Sequence, residues 1–194
     1  FRNDYGDYPP SDGYDYSPPV GTGKGWLLGY CGAQKLAEAL LGWDLMGFHP
    51  RSAWRADGID KNGELLYYDP VAEEPRDLDK RKGRYLELET ANVFRLGNIS
   101  INKPGLFDIP KIWKNLKPDT FVLCDVFGAK KIRLPNGKTV KAGAPILYYK
   151  ANTSGKAIEN IYDARDSEAV VDTKDFADDG KVGNDPVSLY KFHY

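Results

Sequence analysis

The chain has 194 residues and a formal net charge of −1, which fits one domain and excludes the basic excess of most nucleic-acid-binding proteins. Hydrophobic residues make up 41% of it, enough for a core, but no apolar run approaches the ~20 residues that cross a bilayer. Its 13 Tyr, 20 Gly and 13 Pro, with 1 Met, favour a loop-rich α+β or mostly β fold over a helical bundle.

Residues 1–25 predict a polar, extended lead-in to a single domain that spans residues 1–194. Tyr, Gly, Asp and Pro occur there in turn-forming combinations, and no signal peptide is visible. A segment of this kind commonly follows a helix and leads the chain across a surface. We therefore expect a helix before Phe1, and we interpret the chain as the soluble part of a larger, anchored protein.

The clearest helix is predicted from Gly32 to Leu41, with Gly42 as its stop. Leucine and alanine side chains at positions 36, 37, 40 and 41 recur with helical spacing and form one apolar stripe. Lys35 and Glu38 fall outside this stripe, on the polar side of the helix.

Two long loops are predicted, at residues 51–82 and 98–118. The first contains Asp60-Lys-Asn-Gly63, which resembles the centre of an EF-hand calcium loop. No helical periodicity flanks this sequence, so we expect a tight turn instead. The second loop contains three prolines and is expected to be an irregular insertion, with one helical turn near Trp113.

The remaining patterns predict strands. Tyr85–Leu88 alternates between apolar and polar residues, and residues 121–127 form an apolar run typical of a buried strand. Asn136-Gly137 between short alternating runs predicts a hairpin over residues 130–141, and another strand is expected at 145–150. The predicted fold class is therefore α+β, with short helices packed on a small antiparallel β-meander.

The two cysteines, Cys31 and Cys124, are too far apart in sequence for a CxxC redox or zinc motif. Paired, they would close a loop of about 90 residues and indicate an oxidising compartment. Unpaired, they would be two buried free thiols, which is common. Of these two possibilities, we favour the disulfide.

No combination of nucleophile, base and orienting group is evident in the sequence. The only histidines are His49 and His193, and His49 is expected to be a packed loop residue hydrogen-bonded to the backbone. Histidines at helical spacing, which a catalytic zinc site usually requires, are missing. The sequence therefore predicts a protein that is not an enzyme.

The polar C-terminal region, residues 151–194, contains a cluster of carboxylates. Four of them lie within one short stretch: Asp172, Asp175, Asp178 and Asp179. Carboxylate oxygens are suitable ligands for Ca²⁺. Because their spacing fits no established calcium loop, a solvated acidic surface is the alternative.

Three segments together resemble the globular part of type IV pilin-like proteins, and among them the major pseudopilins of type II secretion systems. Asp4-Tyr-Gly-Asp-Tyr-Pro-Pro10 is similar to the family's exit from its long N-terminal helix. Gly29-Tyr-Cys-Gly-Ala-Gln-Lys-Leu-Ala-Glu-Ala-Leu-Leu41 occupies the place of its second helix. Asp125-Val-Phe-Gly128, followed by Ala144-Pro-Ile-Leu-Tyr-Tyr149, resembles its "Asp-x-Trp-Gly … Pro-x-x-Tyr" strand pair.

The resemblance implies a pilin-like globular fold and a non-catalytic role in assembly. An N-terminal helix upstream of Phe1 would pack into a filament or secretion pseudopilus, beside copies of the chain or other pilin-like subunits. Membrane contact would occur only through that helix, and the location would be extracellular or in the cell envelope. Family members often bind calcium in their C-terminal loops, which here implies Asp172, Asp175, Asp178 and Asp179.

Two other functions stay open. The chain could be a cell-surface module that binds carbohydrate or protein on an aromatic platform, although these aromatics are more simply explained as core and loop anchors. The platform would use Trp26, Trp43, Trp54 and Trp113. An extracellular hydrolase with paired carboxylates is the third possibility, since such a pair leaves no sequence signature.

Overall fold

The computed structural model describes residues 1–12, 14–15, 27–66, 78–100, 119–127, 129–156 and 161. This part of the chain is α+β, as predicted from the composition. Its helices are α1 (Arg2–Tyr5), α2 (Gly32–Leu41) and α3 (Leu96–Ser100). Its strands form three antiparallel pairs: β1 (Tyr14–Asp15) with β2 (Leu27–Leu28), β3 (Val93–Arg95) with β4 (Phe121–Leu123), and β5 (Lys130–Arg133) with β6 (Thr139–Ala142).

Helix α2 has the bounds that the sequence predicts. Cys31 is its N-cap, and the Cys31 backbone N–H donates to Oε1 of Gln34 at 2.8 Å. Gly42 ends the helix with φ 92°, and its N–H donates to the carbonyl of Glu38 at 2.7 Å. Because a side chain at Gly42 would run into the Gly47 carbonyl, the helix stop depends on glycine for space as well as for conformation.

Helix α2 packs on β4, and two apolar clusters form around this contact. The larger cluster lies between the start of α2, α3, β4 and the hairpin, and consists of Cys31, Ala33, Leu96, Ile99, Val122, Cys124, Ile132 and Ala142. The smaller one lies at the end of α2, where Ala37 and Leu41 meet Leu123. Ala37 and Leu41 of the predicted apolar stripe are therefore buried and its other two residues partly buried, and the stripe is not the only buried face of the helix.

Lys35 and Glu38 are not on an exposed polar face, which corrects the amphipathic interpretation of α2. Lys35 is 0% and Glu38 is 3% exposed. The lead-in covers one side of the helix, since Asp12 binds Lys35. The loop after α2 covers another, since Ser52 binds Glu38. The helix is thus enclosed by loops that its own periodicity could not reveal.

The predicted hairpin is confirmed. Strands β5 and β6 pair in register from Lys130 opposite Ala142 to Arg133 opposite Thr139. The turn closes with the Gly137 N–H donating to the Leu134 carbonyl at 2.9 Å, and Gly137 has φ 82°. One face of the hairpin, with Ile132, packs into the larger cluster, and the other face is exposed.

The other strand predictions are corrected or shortened. Tyr85–Leu88 is not a strand. The Tyr85 N–H donates to the Leu40 carbonyl, and a turn follows in which the Ala91 N–H donates to the Glu87 carbonyl. Strand β4 ends at Leu123 and pairs with β3, which was not predicted. The strand expected at 145–150 is reduced to a single bridge between Pro145 and Cys124, because the chain beyond it lies against the lead-in, where the Tyr148 hydroxyl donates to the Pro9 carbonyl at 2.9 Å.

The loop predictions hold where the structure describes them. Asp60–Gly63 is a tight turn, as expected, in which Oδ1 of Asp60 accepts from the N–H groups of Asn62 at 2.7 Å and Glu64 at 2.9 Å. The second predicted insertion begins within α3, and its residues 101–118 lie outside the described residues. Among the helices described, none has both the length and the apolar character needed to cross a bilayer.

We expect Gly42→Ala to destabilise the fold by about 2 kcal/mol or more, since it combines a left-handed residue with a backbone clash. Gly83→Ala is the matched control, because a side chain there meets nothing within 4 Å and φ is not positive. Urea unfolding of both variants measures the difference. Equal stabilities would contradict the role given to Gly42.

Candidate functional site: the buried polar network of helix α2

Three polar side chains of α2 lie inside the protein, and each reaches a different neighbouring segment. Gln34 is 1%, Lys35 0% and Glu38 3% exposed. A buried polar group is costly unless it is hydrogen-bonded, and a buried charge costs more. The partners of these three side chains therefore determine which segments must be in place for α2 to be buried.

Glu38 accepts hydrogen bonds on both of its carboxyl oxygens. The hydroxyl of Tyr30 donates to Oε2, and the hydroxyl of Ser52 donates to Oε1. Desolvation by burial raises the pKa of Glu38 to about 7, while the two hydroxyl donors and Lys35 act in the opposite direction. Glu38 consequently changes charge near neutral pH inside the protein.

Lys35 attaches the lead-in to the helix. Its Nζ donates to Oδ1 of Asp12 at 2.7 Å and to the Asp12 carbonyl at 2.8 Å. Desolvation by burial lowers the pKa of Lys35, and the hydrogen bond to Asp12 offsets part of this lowering. Because the ammonium is fully enclosed while the Asp12 side chain is 30% exposed, this ion pair is partly buried and is less screened by salt than a surface pair.

Gln34 connects the start of α2 to the entry of β4. Its Nε2 donates to Oγ1 of Thr120 at 2.6 Å, and its Oε1 accepts from the Cys31 N–H. The backbone of the lead-in and of residue 148 lies close to the same turn of α2. A side chain at Gly32 would meet the Ser11 carbonyl at 2.8 Å and also the Tyr148 carbonyl. The network therefore joins the lead-in, α2, the following loop and β4.

The geometry supports a scaffold rather than a catalytic centre. A carboxyl group with a pKa near 7 suits general acid–base chemistry, but both oxygens of Glu38 are occupied and a substrate has no access to them. His49 is a packed loop residue, as predicted: it is 4% exposed, and its Nδ1 accepts from the Arg51 N–H at 3.1 Å. The described contacts of the network hold these segments together.

An open groove of about 540 Å³ lies elsewhere, between α3 and the hairpin turn. It is lined by Arg95, Gly97, Asn98, Asp119, Leu134, Pro135 and Asn136. Its ionised groups, Arg95 and Asp119, form an exposed ion pair at 3.1 Å. None of the buried network residues lines this groove.

The predicted site residues have different outcomes. Asp172, Asp175, Asp178 and Asp179, the candidate calcium ligands, lie outside the described residues. Within the described ranges, no three His, Cys, Asp or Glu side chains are grouped as a metal site requires. Trp54 stacks on Phe48 at 5.2 Å and Trp43 packs against Gly58, whereas Trp26 and Trp113 are outside the described residues.

Cys31 and Cys124 are free thiols in the structure, in contrast to the disulfide that we favoured from the sequence. Both are buried in the larger apolar cluster, so the structure has the alternative arrangement, two buried free thiols. Burial raises the pKa of the Cys31 thiol. Burial also raises the pKa of the Cys124 thiol, to about 12, and the nearby charge of Asp125 adds to this effect. Thiolates, the reactive form, are therefore disfavoured at both positions.

Sequence reasoning missed the network because it assigned α2 one apolar face. Small residues on the remaining faces were the available signal: Gly32, Ala33 and Ala39 allow close approach from several directions. A helix lined with small residues on more than one face is expected to be enclosed. Its charged residues then need partners, which the sequence alone does not specify.

Comparisons with known proteins give no further identification. No protein family matches the chain, and neither a characterised protein nor a solved structure is significantly similar to it. The resemblance to pilin-like proteins therefore rests on the sequence segments that carry it.

We expect the stability of the folded chain to fall as the pH rises from 4.5 to 7. The unfolded Glu38 loses its proton near its ordinary pKa of 4.5, whereas the folded one retains it until about 7. The loss is about 3 kcal/mol and is complete above pH 7. Glu38→Gln, which stays neutral, should remove this slope in urea unfolding measured across the same range.

Asp4 and Asp7 provide the internal control for this experiment. Hydrogen bonds from Lys82 and Lys150 lower the pKa values of these two carboxyl groups below their ordinary 3.8. Their contribution is constant above pH 3.8 and is lost as the pH falls below it, so a measurement extended below pH 3.8 should show the same loss of stability in both proteins. A slope between pH 4.5 and 7 that is identical in Glu38→Gln and the parent would contradict the assignment.

We expect neither cysteine to react with a thiol reagent in the native protein, because both are buried and their thiolates are disfavoured. Two thiols should become reactive when the chain is unfolded in guanidinium without a reductant. If the unfolded chain yields no reactive thiol until a reductant is added, Cys31 and Cys124 form the disulfide.

Proposed function

We propose that this chain is the globular domain of a pilin-like subunit that assembles, without catalysis, into a filament or secretion pseudopilus. The observation that carries the proposal is the docking of α1 on the body of the domain. A subunit of this kind needs a firm joint where its N-terminal helix meets its globular part. The chain supplies an aromatic cluster and a set of ion pairs at this place.

The aromatic cluster surrounds Phe1. The ring of Phe1 lies 4.8 Å from those of Tyr5 and Phe48, 6.0 Å from Tyr85 and 6.2 Å from Trp54. Ring pairs at such distances contribute beyond the area they bury, by about 0.5–1.5 kcal/mol each. The first helical turn is consequently anchored at its start.

Charged and polar contacts fix the rest of α1. Oδ1 of Asp4 pairs with Lys82 at 2.8 Å, and the Tyr85 hydroxyl donates to Oδ2 of Asp4 at 2.5 Å. Gly6 ends the helix with φ 81°, and its N–H donates to the Arg2 carbonyl at 2.7 Å. A longer helix that continued α1 upstream would therefore be held at its C-terminal end.

The lead-in after α1 is attached to the body over its described length. Asp7 pairs with Lys150 at 2.5 Å, and the Tyr148 hydroxyl donates to the Pro9 carbonyl at 2.9 Å. Asp12 pairs with the enclosed Lys35. Force or torque applied to an upstream helix would be transmitted through these contacts to α2 and the core.

The buried network also supports a mechanical role. A filament subunit requires a fixed shape, and a network whose members are all satisfied favours one arrangement of its segments. The proposal includes an extracellular or cell-envelope location and contact with pilin-like neighbours. It makes Asp172, Asp175, Asp178 and Asp179 the positions at which to look for calcium.

The intact mass and N-terminal sequence of the native protein test the proposal. We expect a longer product that begins with an N-methylated residue and an apolar helix, recovered from sheared filaments or envelope fractions. A native product that begins at Phe1 and stays in the soluble fraction would overturn the proposal.

We expect Phe48→Ala to cost about 3–5 kcal/mol, since it removes a ring that is 4% exposed and touches Phe1, Tyr5 and Trp54. Phe127→Ala is a matched control of the same chemistry, because this ring is 80% exposed and its loss should change stability by less than about 0.5 kcal/mol. Urea unfolding compares the two. Similar losses in both variants would contradict the anchoring role of the cluster.

A further inference from the structure

The exposed face of the β5–β6 hairpin concentrates positive charge. Residues 130–142, the basic hairpin, contain five cations and no acid, although the whole chain has a net charge of −1. The cations are Lys130, Lys131, Arg133, Lys138 and Lys141. The rest of the chain is consequently more acidic than its total charge indicates.

Four of these cations make no ion pair with any residue that the structure describes: Lys131, Arg133, Lys138 and Lys141. Elsewhere in the described ranges ion pairs hold Lys35, Arg51, Arg55, Arg81, Lys82, Arg95 and Lys150. Lys131 also lies directly opposite Lys141 in the ladder, and like charges at such positions repel. An anionic partner on this face would relieve the repulsion.

An exposed apolar tip lies beside the basic hairpin. Val126 is 69% and Phe127 80% exposed, the largest values among the exposed apolar side chains. The tip lies against Gly143, the residue after β6, where an added side chain would meet the carbonyls of Asp125 and Phe127. The apolar tip therefore adjoins the end of the basic hairpin through its backbone.

The backbone of the apolar tip is fixed in advance. The side chain of Asp125 accepts from the Phe127 N–H. Nδ2 of Asn92 donates to the carbonyls of Cys124 and Asp125, each at 2.8 Å, and the Asp125 N–H donates to Ala144 at 2.9 Å. An aromatic side chain carried by a fixed backbone is an effective anchor, since no further ordering of the backbone is needed on binding.

A complementary surface exists on the same chain, in the loop Leu86–Glu89. Leu86 is 37% exposed, and Glu87 and Glu89 are exposed carboxylates without an ion-pair partner among the described residues. The loop is fixed by Leu88, which packs against the smaller apolar cluster. It presents two negative charges beside an apolar side chain, the opposite of the basic hairpin and its tip.

We propose that the basic hairpin with its apolar tip binds the acidic loop Leu86–Glu89 of a second copy of this chain. Charge complementarity selects the partner surface, and the apolar tip covers Leu86. The inference rests on the proposed function for its biological setting, because it names a contact between neighbouring subunits of the assembly. A polyanion that carries no apolar surface would use the cations but would leave the apolar tip uncovered.

Sedimentation equilibrium of the 194-residue chain tests self-association. We expect dimers or short oligomers at about 50 mM salt that weaken at about 500 mM, since exposed charges are then screened. Lys131→Glu with Lys141→Glu should weaken association by at least about tenfold, and Phe127→Ala should also weaken it. Lys61→Glu with Lys156→Glu makes the same change in charge at two other exposed lysines and should have no effect.

A charge exchange identifies the two surfaces. Glu87→Lys with Glu89→Lys should weaken self-association by at least about tenfold, as the reversed hairpin does, and mixing the two variants should restore it. Circular dichroism confirms that each variant is folded. A monomeric parent at every concentration, a mixture that stays monomeric, or association that responds equally to the lysine controls would overturn the inference.

The two proposals fail in different ways. If the native product forms filaments that are unaffected by the hairpin reversals, the inference is wrong and the proposed function stands. If the native protein begins at Phe1 but self-associates through the two surfaces, the filament proposal is wrong and the contact stands. Binding of a polyanion that Phe127→Ala does not weaken would overturn the second copy as partner.

Discussion

The complete enclosure of helix α2 is the constraint on which the rest of the described structure depends. An amphipathic helix needs one neighbour, but α2 carries Gln34, Lys35 and Glu38 into the interior and so needs a polar partner on each side. Those partners come from Thr120, Asp12, Tyr30 and Ser52. Removing one member of a buried ion pair typically costs about 3–5 kcal/mol, so the lead-in is part of the fold rather than an attachment to it.

Much of the fold could be predicted from local patterns. Helix α2 and its glycine stop follow from apolar spacing, and the hairpin follows from Asn136-Gly137, because each of these signals acts within a few residues. The pairing of β3 with β4 could not be predicted, since it joins segments far apart in sequence and β3 is only three residues long. The strand expected at Tyr85–Leu88 is replaced by a turn and the one expected at 145–150 by a single bridge, because contacts with other segments decide the path of the chain there.

The candidate site was less predictable than the fold, for a physical reason. Lys and Glu are usually solvated, so their positions on α2 favoured a polar face. Burial reverses that expectation only when partners are present, and Asp12 and Ser52 lie in loops without a distinctive pattern. The small residues around α2 indicate that something approaches closely, but they do not indicate what.

Charged side chains occur in two different settings, one in the interior of the protein and one on the surface of the hairpin. In the interior, Lys35 and Glu38 are enclosed with partners that satisfy them, which favours one arrangement of the segments. On the hairpin, Lys131 and Lys141 face each other across the ladder without an anion among the described residues. The first arrangement produces a rigid body, and the second leaves an electrostatic preference on its surface. Both arrangements support the proposed role as a subunit that repeats along an assembly, because each copy of such a subunit must present the same contact in the same orientation.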